Sequence, residues 1–579
     1  MLEDVPLSWL DYAVFASSIL LSVGTGIYHA IRSRILLRRG DRTAKEEYLM
    51  GGRQLPSLPV ALSLLTTFLS GILMLGVPAE MFQRGSQIWL NFVIGVASSI
   101  VTCLVFLPVF HKMKATCLHE YFIHRYNSPL IRKMFSLIFL SFTVIYMSIV
   151  VYAPSVALSP VLQINKYYLI LIIGTATTLY TCVGGIKAVV WADSLQAVLM
   201  YSGVLTLIYK GLTHPRTGGL ERVLDIAWES GRISELWRFD WRIDQYNSLW
   251  INIFSGTIVW LASFGVNQLA IQRYASLPSL DKAQNIIFMT LLPFILLCSI
   301  VAFVGFIALA YFYNCNPIET GEVQEIDHIT ILFARDVLQP TPGLFGLYVS
   351  CIMSATLSTL SSGMNSLAAA IYEDFLKTTL DGKITDKQAT RLNMAIVVAA
   401  GIVSTGLSFA AEPLGGILRV CISVMGAISG PMVAIFVLAM FFPKTGPIAC
   451  LTSFITSNLI CVIVCFANYT QDPYKQLFLP TNTTIEGCNG NSNFTIRKLP
   501  EFDAHYGDPD TLFISRISTY SYAGLGFVLM IAIGLFVSLF ENNERSEEKI
   551  RHVTFYGRNE PWPESHHELD HFIDGDVEK

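Results

Sequence analysis

Apolar residues fall along this chain in about thirteen long runs, separated by short polar or charged stretches. The runs centre on residues 9–31, 57–83, 87–110, 134–160, 167–186, 191–211, 249–271, 286–312, 343–372, 393–411, 416–442, 447–467 and 520–540. A helix needs about 20 such residues to cross the hydrocarbon core of a bilayer. In that medium backbone amides must pair within their own segment, so runs of this length predict helices. The expectation is an all-α, multi-pass membrane protein. The first run is too long for a signal-peptide core and has no basic stretch before it, so it reads as a retained span.

One run is punctuated unlike a merely greasy segment. Between Leu58 and Gly85 it carries Thr66, Thr67, Ser70, Gly71, Gly76, Pro78 and Glu80. Such residues at mid-depth weaken the helix ladder, and freed carbonyls are tolerated there only against protein or a watery cavity. A discontinuous helix with open carbonyls is how secondary transporters build ion sites. A kinked helix packed through small residues is the alternative.

Composition agrees with the pattern. Of 579 residues, 53% are hydrophobic and only 14% charged, against about 25% charged in soluble domains. No basic domain and no zinc-spaced Cys/His set is present, so a nucleic-acid partner is not expected. The basic residues set an orientation. Arg32, Arg34, Arg38, Arg39, Arg42, Lys45 and Arg53 fill the first loop, and Lys112, Lys114, Arg125, Arg132, Lys133, Lys187, Arg273, Lys282, Lys377, Lys383, Lys387, Arg391 and Lys444 every second loop after it. This places the N-terminus outside and the C-terminus inside. Three Asn-x-Thr tripeptides, at Asn468, Asn482 and Asn493, fall in loop 468–518, which the same count places outside; they are candidate glycosylation sites. Of eleven cysteines only Cys315 and Cys488 fall in outer loops, where a disulfide is permitted. The polar, acidic tail 541–579 lacks the apolar content to fold and reads as disordered.

Four further segments carry candidate chemistry. Residues 350–375 crowd hydroxyls onto one long helix, and Ser358 with Thr359 offers two neutral oxygens at one depth. Hard cations favour oxygen ligands, although small hydroxylated residues also glue membrane helices together. In GGIKAVVWADSLQ, Asp193 and Gln196 lie three apart near the inner end of a span. An intramembrane acid is a functional candidate; pairing with Lys187 is the structural alternative. Residues 250–273 hold Trp260, Phe264 and Gln268, which suit either a cavity or core packing. Arg419, about one turn inside its span, either faces inward to hold a carboxylate or snorkels to the surface. No zincin motif, P-loop or nucleophile elbow is found, so an enzyme is not expected.

The segments YLMGGR (Tyr48–Arg53), LGVPAE (Leu75–Glu80), YAPSVAL (Tyr152–Leu158), GGIKAVVWADSLQ, GVNQLAIQRY (Gly265–Tyr274), TLST with SSGMNSLAAAIYEDF, and GPMVAIFVLAMFFP resemble the sodium/solute symporter family. The similarity runs from about Asp11 to Phe540, and points to the branch of sodium-coupled monocarboxylate, sodium-dependent multivitamin and sodium/iodide transporters. It implies a LeuT-type five-plus-five inverted repeat, with an extra N-terminal helix in 1–56, repeats at 57–211 and 249–442 around outer loop 212–248, and two C-terminal helices in 443–540. It implies a sodium site on the backbones of Thr66, Leu69 and Ala355 and the hydroxyls of Ser358 and Thr359, with Asp193 and Gln196 on the exit route. Na+ is the one cofactor expected. The implied substrate cavity includes Leu73, Tyr152, Trp260, Phe264, Gln268, Arg419 and Ile422. The iodide symporter has glutamines at the positions of Leu73 and Arg419, so this chain departs towards an organic anion. The reading is a plasma-membrane, sodium-coupled symporter of small organic anions, monocarboxylates (lactate, pyruvate, short-chain fatty acids) ahead of vitamin carboxylates or iodide. A sodium-gated sensor or channel is the rival of a different class.

Overall fold

The computed structural model describes residues 7–37, 44–114, 116–323, 325–380, 382–411, 417–474, 479–484, 488, 505–541 and 550–558. The described chain is built of helices: α1 (Trp9–Leu37), α2 (Ser57–Phe68), α3 (Gly71–Arg84), α4 (Gln87–Met113), α5 (Pro129–Leu162), α6 (Lys166–Thr213), α7 (Gly219–Glu229), α8 (Leu249–Phe264), α9 (Gln268–Ala275), α10 (Leu280–Phe312), α11 (His328–Leu338), α12 (Leu344–Leu380), α13 (Asp386–Ser408), α14 (Ile417–Phe441), α15 (Pro447–Gln471) and α16 (Thr519–Ser538). Ten of these elements are long and apolar enough to cross a membrane, and two bent pairs, α2 with α3 and α8 with α9, make twelve. The 48 residues of α6 would measure about 72 Å at 1.5 Å per residue. Gly185 interrupts them at φ 57° and ψ −158°, a conformation open to glycine alone. With α6 divided there, the described residues offer thirteen candidate spans. Below, outer and inner are the sides assigned by the basic residues.

The bundle is organised around α12. Every residue from Tyr348 to Ala370 is buried, whereas α1 leaves Leu20 and Leu21 more than half exposed, as a lipid-facing helix does. The small and hydroxylated side chains of α12 let neighbours approach closely. Asp11 of α1 caps the free amides at its start, accepting from Gly343 N at 3.0 Å and Gly346 N at 2.8 Å. Tyr180 of α6 donates to Leu357 O at 3.0 Å.

Two of the sequence-based expectations are corrected here. The tail is not featureless: at 550–558, Val553 is fully buried, Tyr121 Oη donates to Val553 O at 3.0 Å, and Phe555 stacks on Phe441 at 4.8 Å. Three apolar side chains among polar ones suffice to dock this short segment. Residues 559–579 lie outside the described residues. Helix α15 also continues past its apolar run to Gln471, so Asn468 is 2% exposed and its amide donates to Ser515 O at 2.7 Å. A glycan has no access to that nitrogen. Asn482 is exposed, and Asn493 lies outside the described residues. Cys315 and Cys488 are joined by a disulfide.

The join between α2 and α3 fixes the identity of Gly71. A Cβ there would lie 2.3 Å from Thr356 Oγ1 and 3.2 Å from Ile352 O. Overpacking of this kind costs about 1–3 kcal/mol. Gly71→Ala should therefore lower the thermal midpoint of the purified protein by several degrees, while Gly24→Ala, with nothing within 4 Å of its added Cβ, should not.

Candidate functional site

Helix α2 stops at Phe68. Leu69 (φ −104°, ψ 90°) and Ser70 (φ −82°, ψ 165°) are extended, and α3 restarts at Gly71 bent by 58°. The last carbonyls of α2 therefore have no partner in a next turn. Hydroxyls of α12 meet them there. Ser358 Oγ donates to Thr66 Oγ1 at 2.8 Å, Thr359 Oγ1 donates to Thr67 O and to Ala355 O at 3.1 Å each, and Thr67 Oγ1 and Ser362 Oγ are 2.9 Å apart. Thr66, Leu69, Ala355, Ser358 and Thr359 are all at most 1% exposed. The donor set is neutral oxygen, the chemistry a sodium ion prefers. It contains no carboxylate, which suits an ion that must leave again.

A buried charge pair lies beside it. Ser63, one turn before Thr66, donates to Asp193 Oδ2 at 2.5 Å, and Arg273 Nη2 reaches the same oxygen at 3.3 Å. Arg273 Nε also donates to Ser63 Oγ at 2.9 Å, Nη1 to Leu269 O at 2.8 Å, and Nη2 to Ser362 Oγ. Asp193 is thus wired through Ser63 to the broken helix and through Ser362 to α12. The alternative, a pairing with Lys187, does not occur: Lys187 pairs with Glu47. Gln196 donates to Ser22 Oγ of α1 at 3.2 Å and is not part of this group. Arg273, read from the sequence only as a loop cation, is 2% exposed; its place in α9, the second half of the bent pair α8–α9, was the one available signal.

Of the seven expected cavity residues, Trp260 and Phe264 lie together, with ring centroids 5.7 Å apart, and Phe264 meets Phe68 at 5.1 Å. Trp260 Nε1 donates to Asn91 O at 2.8 Å. Leu73 and Tyr152 are half-buried on α3 and α5. Gln268 is fully buried and turned to the inner side, accepting from Leu118 N at 2.8 Å and donating to Thr116 O at 2.9 Å. Its amide is spent as a tie to the inner loop. Arg419 neither snorkels nor faces a cavity unaccompanied: Nη1 pairs with Asp472, and Nη2 donates to Asn468 Oδ1 at 2.8 Å. Ile422 packs with Tyr246, Tyr474 and Tyr520.

That tyrosine cluster closes the outer end of α3. Tyr246 Oη donates to Glu80 Oε1 at 2.8 Å, Tyr520 Oη to the same oxygen at 3.4 Å, and the Arg84 guanidinium lies 3.9 Å over the Tyr246 ring. Arg84 Nη2 donates to Tyr474 O at 3.2 Å. Glu80 was visible as an acid in an apolar run; its tyrosine partners, Tyr246 and Tyr520, come from distant segments and were not.

Comparison with known proteins follows this geometry. Residues 48–456 match the model of the Sodium:solute symporter family. The chain is 31% identical to the mouse "Sodium-coupled monocarboxylate transporter 2" over 93% of its own length and 85% of the relative's. It is 29% identical to the human "Sodium-coupled monocarboxylate transporter 1" over 94% and 89% of the two chains. Against the rabbit (Oryctolagus cuniculus) "Sodium-dependent multivitamin transporter" it is 31% identical over 93% and 83%. Among solved structures, a Na+-coupled sialic acid symporter in its substrate-bound outward-open state superposes with a TM-score of 0.74 at 19% identity, covering 92% of this chain and 98% of that one. The fold is therefore the LeuT-like one.

Removing one partner of a buried ion pair strands the other, at a cost of about 3–5 kcal/mol. Asp193→Asn should accordingly lower the thermal midpoint markedly, and adding Arg273→Gln should restore part of the loss. A double variant no more stable than Asp193→Asn alone would show that the two charges are not coupled.

Proposed function

The chain belongs to the sodium:solute symporter family, and from that premise we propose that it imports small organic anions, monocarboxylates first, across the plasma membrane together with Na+. Sodium-coupled solute symport is what the family does, and Na+ is its coupling ion rather than a cofactor. The observation that supports the rest is the meeting of Thr66 with Ser358 and of Thr67 O with Thr359 at the α2–α3 break. An ion held there joins the two segments whose separation would open a path. Sodium binding from outside draws them together, and a negative-inside potential favours the step by about 2.3 kcal/mol per charge per 100 mV.

For the anion, Arg419 supplies the charge. Its guanidinium already holds one carboxylate, that of Asp472, and a fork of this geometry suits a carboxylate substrate equally. A substrate entering from the outside would exchange with Asp472 while its apolar part meets the Phe68, Trp260 and Phe264 rings. An apolar side chain at Leu73, where the iodide symporter has a glutamine, favours a short hydrocarbon over a bare ion. A vitamin carboxylate is the second reading, because the multivitamin transporter matches at the same 31% identity.

The deciding experiment is uptake of labelled lactate, pyruvate, butyrate, biotin, pantothenate and iodide into proteoliposomes, with sodium or with choline. Monocarboxylates should accumulate against their gradient only with sodium; downhill equilibration alone would indicate a channel. Combining Ser358→Ala with Thr359→Ala should raise the half-saturating sodium concentration about tenfold, equivalent to about 1.4 kcal/mol. Arg419→Gln should raise the KM for the anion about tenfold, whereas Asp472→Asn should leave it unchanged or lower it. A wild-type KM in Arg419→Gln would remove Arg419 from substrate binding.

A further inference from the structure

Helix α7, Gly219–Glu229, stands in the outer connection between α6 and α8. At 100° per residue its apolar side chains span about 200° of the helix surface, and Glu221, Arg222, Asp225 and Glu229 occupy the remaining arc. The protein covers only part of the apolar arc. Val223, Ile226 and Ala227 are buried, against α10. Leu220, Leu224 and Trp228, at successive i, i+4 positions, are 52%, 43% and 69% exposed. A helix with two adjoining apolar stripes, one packed and one bare, and its charges on the third side fits a corner between protein, bilayer and water.

The position of α7 agrees. It begins five residues after the outer end of α6, whose last two turns leave Leu205 at 50% and Tyr209 at 68% exposed. The bare stripe thus continues a lipid-facing surface. Trp and Tyr are favoured at the headgroup level, and amphipathic helices lie in that plane with the apolar face buried by about 5–10 Å.

We propose that α7 is an interfacial anchor, with Leu220, Leu224 and Trp228 seated at the headgroup–acyl boundary of the outer leaflet. Its partner is the lipid surface. The anchor is joined to the outer gate three residues later. Arg232, fully buried, donates to Phe82 O at 2.6 Å and to Leu479 O at 2.9 Å, and its own carbonyl accepts from Ser86 N at 3.0 Å. The depth of α7 in the leaflet therefore sets the height of the segment that covers the outer end of α3.

The full-length protein, reconstituted in phosphatidylcholine vesicles with or without brominated acyl chains, tests this. The Trp228 signal is the difference between wild-type and Trp228→Phe fluorescence. It should lose at least half its intensity in brominated lipid and be little affected by aqueous iodide. Quenching by iodide and not by bromolipid would overturn the proposal. So would efficient disulfide capture of a dimer through Leu224→Cys, which would assign the stripe to a second copy. If Trp228→Phe fails to fold, an environment-sensitive dye on Leu224→Cys supplies the same readout.

Discussion

A chain that crosses hydrocarbon cannot leave backbone groups unpaired, and this one breaks a helix in the middle of its bundle. Everything around the candidate site answers that constraint. The break at Leu69 and Ser70 frees the last carbonyls of α2, and each unsatisfied group in such surroundings costs several kcal/mol. The protein does not bury them against hydrocarbon side chains. It brings up α12, buried from Tyr348 to Ala370, whose Ser358, Thr359 and Ser362 present hydroxyls at that depth. The same neutral oxygens are the donor set to which the proposed sodium ion is assigned.

The second layer makes the break rigid. Asp193 and Arg273 are charges in a low-dielectric bundle, tolerable because they face each other and because Ser63, Ser362 and Leu269 O hydrogen-bond to them. Ser63 lies on α2 and Ser362 on α12, so the pair braces the two helices that supply that donor set. A similar arrangement recurs at the outer end of α3, where Glu80 and Arg84 are enclosed by tyrosines. The proposed ion site, the Phe68–Phe264 ring pair and the tyrosine-enclosed Glu80 all adjoin the α2–α3 helix pair.

Much of this was legible in the residue pattern. The long apolar runs became helices because length in hydrocarbon leaves the backbone little freedom, and the break was marked by Thr, Ser and Gly where leucine would serve a plain span. The meeting of Thr66 with Ser358 was legible only through family resemblance, since 292 residues separate them. Long-range polar pairings were the blind spot. Asp193 has Lys187 six residues away in sequence, yet binds Arg273, which sequence proximity had left in a loop. Gln268 and Arg419 are the residue types a cavity uses, but their partners, the 116–118 backbone and Asp472, are set by packing. Asn468 carries a valid tripeptide that the extra turn of α15 hides. In the tail, three apolar residues were outweighed in composition by their charged neighbours.

The central claim is that the α2–α3 break and the α12 hydroxyls together hold sodium, and the most direct measurement is sodium-dependent thermal stability of the purified protein. A ligand that binds only the folded state stabilises it by RT ln(1 + [L]/Kd). The wild-type midpoint should rise steadily as sodium replaces choline at constant ionic strength, and Thr359→Val, which keeps the shape and removes one oxygen, should flatten that rise. An equal sodium-dependent rise in Thr359→Val and the wild type would contradict the account.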